Sequence, residues 1–111
     1  MMMSVNPATG KKIKSYRELD FPEIEKIITS TDNAFQNWKV LPFSNRSELM
    51  RNAASVLRKN KKIYSQLMTD EMGKPIKQSI AEVEKCAWVC EYYAENAEKF
   101  LADEIIPTDA K

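Results

Sequence analysis

Two cysteines, Cys86 and Cys90, are the residues whose type and spacing first suggest chemistry, since thiolates act as nucleophiles, metal ligands and redox partners. A structural zinc site needs about four ligands, and the chain has no histidine and no third cysteine. A disulfide between helical positions four apart would strain the helix, and a catalytic cysteine needs a base or an electropositive setting. We therefore interpret both cysteines as small buried apolar residues.

Two glycine–lysine pairs, Gly10-Lys11 and Gly73-Lys74, resemble part of a phosphate-binding loop. Such a loop needs an upstream glycine at fixed spacing and Ser or Thr after the lysine, where this sequence has lysine and proline. The basic run at residues 58–62 can contact an anion or form a solvated helix junction. We favour the junction, because Arg58 and Lys59 are favourable at a helix C-terminus.

The elements that position these residues begin with a turn signal, Asn6-Pro7-Ala8-Thr9-Gly10, between two short extended segments, which predicts a small hairpin or arm. Asp20 is a good N-cap for a first amphipathic helix that ends before Pro42. Ser44 or Asn45 can cap a second helix that reaches about Lys59.

A third helix opens at Asn60 and stops at Gly73, where glycine permits a left-handed C-cap, and Pro75 starts a fourth. The fourth helix carries one apolar seam at steps of three and four, and this seam is expected to be buried. Its members are Ile76, Ile80, Val83, Ala87, Cys90, Ala94, Ala97 and Leu101. Trp88 and Tyr92 lie on the opposite side, so the helix needs neighbours on more than one face.

Three segments of the sequence resemble the N-terminal region of NAD(P)-dependent aldehyde dehydrogenases of the succinate-semialdehyde dehydrogenase type. They are Asn6-Pro7-Ala8-Thr9-Gly10, Glu71-Met72-Gly73-Lys74-Pro75, and residues 82–98, which begin EVEKCAWVC. The similarity runs along the whole chain. The resemblance implies a parent enzyme that oxidises an aldehyde through a thiohemiacetal and passes a hydride to NAD or NADP.

The same resemblance gives this chain no catalytic, cofactor-binding or metal-binding residue. The family's attacking cysteine lies in a Gly-Gln-x-Cys segment, its oxyanion asparagine in Pro-Trp-Asn-Phe-Pro, and its cofactor turn in Gly-x-x-x-x-Gly; none occurs in the sequence. Glu71 superficially matches the family's general-base segment Glu-Leu-Gly-Gly-Lys, but the second glycine is missing and Gly73 fits a helix cap. We expect no NAD or NADP to be bound by this chain alone.

The expected fold is mainly α, an incomplete piece of the α/β aldehyde dehydrogenase fold. Residues 1–19 form a short N-terminal β-hairpin or arm, and residues 20–104 form about four helices of which the last is long. Residues 105–111 are expected to be a truncated connection to the missing cofactor-binding sheet.

Charge and composition restrict the partners. Seventeen basic and 16 acidic residues leave a net charge of +1, which gives no single-signed field for nucleic acid or an anionic membrane. No apolar run approaches the ~20 residues that span a bilayer, and the cysteine content is low, so we expect a cytoplasmic protein.

Two functions remain open at this stage. The first is the N-terminal helical portion of such an aldehyde dehydrogenase, truncated and inactive alone, which would need the remainder of the enzyme. The alternative is a freestanding helical module without catalytic activity that self-associates, with the seam of the fourth helix as the expected oligomer interface.

Overall fold

The structure is a computed structural model that describes residues 1–109. Its first element is an antiparallel hairpin of β1 (Met2–Val5) and β2 (Lys12–Tyr16). Met2 pairs with Tyr16, and the register shifts between Ser4 and Val5. The hairpin predicted from the turn signal is confirmed.

The hairpin turn is closed by the Asn6 side chain. Its Oδ1 accepts hydrogen bonds from the backbone N–H groups of Ala8 and Thr9 at 2.9 and 3.1 Å. Asparagine favours such local bonding, which replaces the strand pairing that the turn interrupts. Gly10 then adopts φ +69°, a conformation that costs glycine little.

Helix α1 (Phe21–Trp38) begins at the predicted cap. The Asp20 side chain accepts from the N–H of Glu23 at 2.9 Å, and the Glu23 carboxylate accepts from the N–H of Asp20 at 3.0 Å, which completes a capping box. Arg17 donates twice to the Glu23 carboxylate, at 2.7 Å each. These bonds lower the pKa of Glu23, with the Arg17 contact as the largest cause.

Helix α2 (Phe43–Lys59) has Pro42 at its N-cap position, so the predicted cap at Ser44 or Asn45 is wrong. Ser44 and Asn45 lie inside the first turn, so neither side chain occupies the N-cap position. No side chain caps the helix, and the Ser44 hydroxyl instead donates to Asn45 Oδ1 at 3.3 Å. The first backbone N–H groups of α2 therefore lack a partner from a capping side chain.

Helices α3 (Lys61–Met72) and α4 (Ile76–Phe100) begin where predicted, and α3 ends at the predicted glycine, but α4 ends at Phe100 and the predicted helical region to residue 104 is too long at this end. Asn60 separates α2 from α3, and Gly73 ends α3 at φ +69° with its N–H donating to the Thr69 carbonyl at 2.9 Å. The helix count and the mostly helical fold class are confirmed. Within the predicted connection at residues 105–111, residues 105–109 take no regular structure, and residues 110 and 111 lie outside the described range.

The core lies where α4 packs against α2 and α3. The α4 seam is buried at Val83, Ala87 and Ala94, which are 3%, 0% and 7% exposed, and Ala54 of α2 is fully buried. Small alanine side chains let the helix axes approach closely. Two buried serines are also satisfied: Ser65 donates to the Lys61 carbonyl at 2.7 Å, and Ser79 shares a hydrogen bond with Thr69 at 3.0 Å.

Two expectations about the seam are wrong. Its ends are not buried, since Ile76, Ile80 and Leu101 are 42%, 38% and 67% exposed. Leu101 lies just past the end of α4, and at the N-terminal end the buried position is Ser79, which contacts Thr69 of α3, whereas Ile80 lies about 100° farther around the helix. The middle of the seam is not an open surface for self-association, because α2 and α3 of the same chain already cover it.

The described helices do not close into a compact body. The radius of gyration is 20.0 Å, whereas a compact domain of this length has about 13 Å. The accessible surface of 9373 Å² is about 3,000 Å² larger than that of a compact monomer of the same mass. Helix α1 contributes to this excess surface, because none of its residues is buried and Phe21 and Ile28 are 72% and 63% exposed.

Candidate functional site

The two cysteines lie on α4 but not together in a protected site. Cys90 is half-buried, whereas Cys86 is exposed, so the prediction that both are buried is wrong for Cys86. Cys86 lies on the flank of the buried face of α4, about 60° around the helix from Val83. Within residues 1–109, no group of three or more His, Cys, Asp or Glu side chains is arranged to hold a metal ion.

Three residues of the Glu71–Lys74 segment, Glu71, Gly73 and Lys74, make structural contacts. Glu71 Oε1 accepts a hydrogen bond from the Ser4 hydroxyl at 2.6 Å, Gly73 caps α3, and Lys74 forms an ion pair with Glu82. The capping interpretation of Gly73 is thus confirmed. The Glu71 carboxylate is thus hydrogen-bonded to the hairpin and is not directed into a cleft.

The contact between Ser4 and Glu71 belongs to a larger junction that joins two of the sequence motifs. A Cβ atom placed on Gly73 would lie 3.1 Å from Pro7 Cγ. The Asn6–Gly10 turn therefore rests directly on the end of α3. This junction fixes the hairpin to the helices, although the two motifs are far apart in the sequence.

Replacing Gly73 tests this junction. Gly73→Ala should lower stability by about 1–2 kcal/mol for the left-handed backbone and by roughly 1 kcal/mol more for the contact with Pro7. Gly10→Ala is a matched control, because Gly10 has the same φ of +69° and nothing within 4 Å of its Cβ position. Urea unfolding of the two variants measures the difference, and equal losses would mean that the hairpin does not rest on Gly73.

An ion-pair network connects the α2–α3 junction to α4. Arg58 binds the Glu91 carboxylate through both terminal guanidinium nitrogens, one at 2.8 Å, and its Nε lies 3.3 Å from Glu84. Lys61 pairs with the same Glu84 carboxylate. Two cations of the basic run at residues 58–62 are therefore paired with carboxylates of α4, so the predicted junction is held by ion pairs and is not simply solvated.

The network shifts the titration of its carboxylates. The pKa of Glu84 lies below its ordinary value of 4.5 because of Lys61 first and then Arg58, and Arg58 lowers the pKa of Glu91. The same contacts raise the pKa of Arg58. Because the folded pKa values are lowered, the stabilisation is complete above the unfolded pKa and is lost as the pH falls through the folded values.

Acid unfolding should report this network. We expect the melting temperature to fall as the pH drops below about 4.5, and to fall less in the Glu84→Gln/Glu91→Gln variant, which has no such carboxylates to protonate. The Glu95→Gln/Glu98→Gln variant is the control, since both side chains are exposed on the same helix. If the melting temperature of all three proteins falls equally between about pH 7 and about pH 3, the network does not contribute to stability as proposed.

The outer face of α4 carries an exposed aromatic cluster, which we define as Trp88, Tyr92, Tyr93 and Phe100. Tyr92 contacts the other three rings, with centroid distances of 5.7, 5.4 and 6.0 Å. The four side chains are 56%, 39%, 50% and 54% exposed. A contiguous aromatic surface of this kind is typical of an interaction site.

A groove lies between the beginning of α2 and the end of α4, next to the aromatic cluster. It has a volume of about 170 Å³. Its lining is mostly apolar and consists of Trp38, Phe43, Arg46, Ser47, Met50, Tyr93, Ala94, Ala97 and Leu101. The Arg46 guanidinium lies over the Phe43 ring at 4.1 Å. Sequence reasoning did not find this groove, because its walls come from three separate helices and no periodicity connects them.

No helix within residues 1–109 is long and apolar enough to cross a membrane. The described residues 1–109 form four helices with a docked N-terminal hairpin and open apolar surfaces.

The fold and motifs define the N-terminal helical layer of a dehydrogenase, and the comparison with known families agrees. The chain belongs to the aldehyde dehydrogenase family, whose model matches residues 1–111. It is 42% identical over 107 residues to a probable NADP-dependent succinate-semialdehyde dehydrogenase of Synechocystis, and covers 96% of itself but 24% of that protein. It is 34% identical to the NADP-dependent succinate-semialdehyde dehydrogenase of Deinococcus radiodurans, covering 94% of itself and 22% of that protein.

Solved structures show the same arrangement. A glyceraldehyde-3-phosphate dehydrogenase of Methanocaldococcus jannaschii complexed with NADP superimposes with a TM-score of 0.87 at 28% identity, over 98% of this chain and 24% of that one. A succinic semialdehyde dehydrogenase of Streptococcus pyogenes in complex with NADP⁺ superimposes with a TM-score of 0.89 at 23% identity, over 96% of this chain and 24% of that one, which supports the fold alone. The chain spans about a quarter of the length of the curated relatives it matches.

Proposed function

We propose that this chain is the helical layer of an aldehyde dehydrogenase that oxidises succinate semialdehyde to the carboxylic acid with NAD or NADP. The observation that carries the proposal is the 42% identity over 107 residues to the probable Synechocystis succinate-semialdehyde dehydrogenase. The chain itself would supply structure rather than chemistry. Its two free thiols agree with a location in the cytoplasm.

The exposed surface supports a large partner. The chain exposes about 3,000 Å² more than a compact monomer, whereas a partner in a standard interface buries about 800 Å². One ordinary interface would leave most of this excess uncovered. The remainder of the enzyme would present a much larger face to α1 and to the aromatic cluster of α4.

The chemistry argues against turnover by the chain alone. Aldehyde oxidation needs an activated nucleophile, a general base and a positioned nicotinamide. The exposed Cys86 and half-buried Cys90 are not part of an assembled site, and Glu71 is bonded to Ser4. We therefore assign the nucleophile, the base and the cofactor site to the part of the enzyme outside this chain.

A complementation assay tests the proposal. The purified chain should form no NADH or NADPH from succinate semialdehyde and should not bind either oxidised cofactor in a calorimetric titration. Adding the Synechocystis relative without its matching N-terminal region should restore turnover. Turnover by the chain alone that persists in the Cys86→Ser/Cys90→Ser variant would refute the proposal. Turnover by the chain alone that disappears in Cys86→Ser would also refute it, because Cys86 would then be catalytic.

Self-association is a second candidate function, favoured by the groove between α2 and α4. The seam of α4 does not provide this interface, because α2 and α3 cover its middle. The groove and the aromatic cluster instead leave apolar surface open at the C-terminal half of α4. A second copy of the chain could cover this surface when the remainder of the enzyme is absent.

A further inference from the structure

The groove between α2 and α4 has a polar end that is built for an acceptor. Helix α2 has neither a capping side chain nor an acidic residue in its first turn, so its positive end is uncompensated. In the same place, the Arg46 Nε is buried without a hydrogen-bond partner among the described residues. Because Arg46 lines the groove, a carboxylate at this end can pair with the guanidinium group and accept from helix N–H groups.

The rest of the groove is apolar. Phe43, Met50, Ala97 and Leu101 contribute to its walls, and its volume of about 170 Å³ equals that of roughly six water molecules. Such a space suits aliphatic side chains rather than an ion alone. The matching ligand is therefore a carboxylate followed by branched apolar groups.

Residues 103–106 of this chain have that chemistry. Asp103 and Glu104 are followed directly by Ile105 and Ile106. The two isoleucines are 90% and 73% exposed, and Ile105 is the most exposed large apolar side chain among residues 1–109. The segment takes no regular secondary structure, so its backbone is free to follow a groove.

We propose that the groove binds residues 103–106 of a second copy of this chain, in a reciprocal dimer. The inference rests on the self-association proposed above and names its interface. Leu101 lines the groove and precedes residues 103–106 by two positions, so donor and acceptor surfaces are neighbours on each copy. With a two-fold axis near the end of α4, residues 103–106 of each copy reach the groove of the other, so the interface is isologous.

The acidic pair of one copy meets Arg46 and the α2 N-terminus of the other, and the isoleucines fill the apolar part. The segment does not occupy the groove of its own chain, because its isoleucines are exposed while the groove is open. Dimerisation thus gives partners to the Arg46 guanidinium, the uncapped helix and the two isoleucines. The aromatic cluster stays outside this contact apart from Tyr93.

Charge exchange between two variants tests the dimer. Arg46→Glu alone, and Asp103→Lys/Glu104→Lys alone, should each raise the dimer dissociation constant by about tenfold or more, since each homodimer opposes like charges. Mixing the two variants should restore the dimer as a heterodimer, in which both contacts join opposite charges. Sedimentation velocity between about 1 μM and about 1 mM measures all three samples.

Arg51→Glu is the control, because Arg51 is an exposed cation on α2 outside the groove, and it should leave the dimer intact. The lysine variant changes only exposed residues, so it keeps the test valid if Arg46→Glu unfolds. A wild-type monomer at every concentration overturns self-association itself. A wild-type dimer that the lysine variant leaves unchanged, or a mixture that forms no heterodimer, overturns this interface alone.

Discussion

Ala87→Asp should abolish the packing of α4 on α2 and α3. Ala87 is fully buried in the middle of the seam, and two other seam residues, Val83 and Ala94, are 3% and 7% exposed. An unpaired carboxylate there loses its hydration without gaining a partner, which costs about 3 kcal/mol or more. A domain of this length has only about 5–15 kcal/mol of stability, so the loss is a large share of the total.

The matched control is Ala81→Asp, which places the same side chain on the same helix at an exposed position. Urea unfolding followed by circular dichroism should show a normal transition for Ala81→Asp and an early, broadened transition for Ala87→Asp. Equal behaviour of the two variants would mean that α4 does not pack through its seam.

The parts of the fold that the sequence predicted depend on contacts between near neighbours. The Asn6 side chain closes its turn within three residues, and the capping box of Asp20 and Glu23 spans three as well. Gly73 ends α3 because of its own backbone conformation. Such signals lie between residues that are close in the sequence, so the hairpin, the start of α1 and the end of α3 could be predicted without coordinates.

The unpredicted parts depend on contacts between distant residues. Arg58 lies 33 positions from Glu91, so sequence reasoning placed Arg58 in a solvated junction and did not pair it with a carboxylate of α4. The exposed position of Cys86 follows from which face of α4 meets α2 and α3, and an apolar pattern around most of a helix does not select that face.

The same contrast between near and distant contacts applies to the candidate site. The absence of the family's catalytic motifs was visible in the sequence, since each motif is a short run of letters. The groove was not visible, because its lining comes from three helices that are distant in the sequence and the Arg46 Nε is buried only in the packed structure. An orphaned donor is a property of the packed structure, so only coordinates reveal it.

Trp88→Glu should prevent the helical layer from restoring dehydrogenase activity in the complementation assay. In the proposed enzyme, the remaining part of the protein covers the outer face of α4, where Trp88 is 56% exposed in this chain. Burying an unpaired carboxylate there costs at least about 2 kcal/mol, which is more than a tenfold loss of affinity. The isolated chain should keep its fold, because the side chain does not belong to the core.

Ser55→Glu is the control for that experiment, since it adds the same charge at an exposed position on α2, beside other polar side chains. With the concentration of the complementing part held below saturation, turnover should fall by at least about tenfold for Trp88→Glu and remain near wild type for Ser55→Glu. The circular dichroism spectra of both chains should match the wild type. Full turnover with Trp88→Glu would place the aromatic cluster in solvent, and α1 would then be the surface on which the remainder of the enzyme assembles.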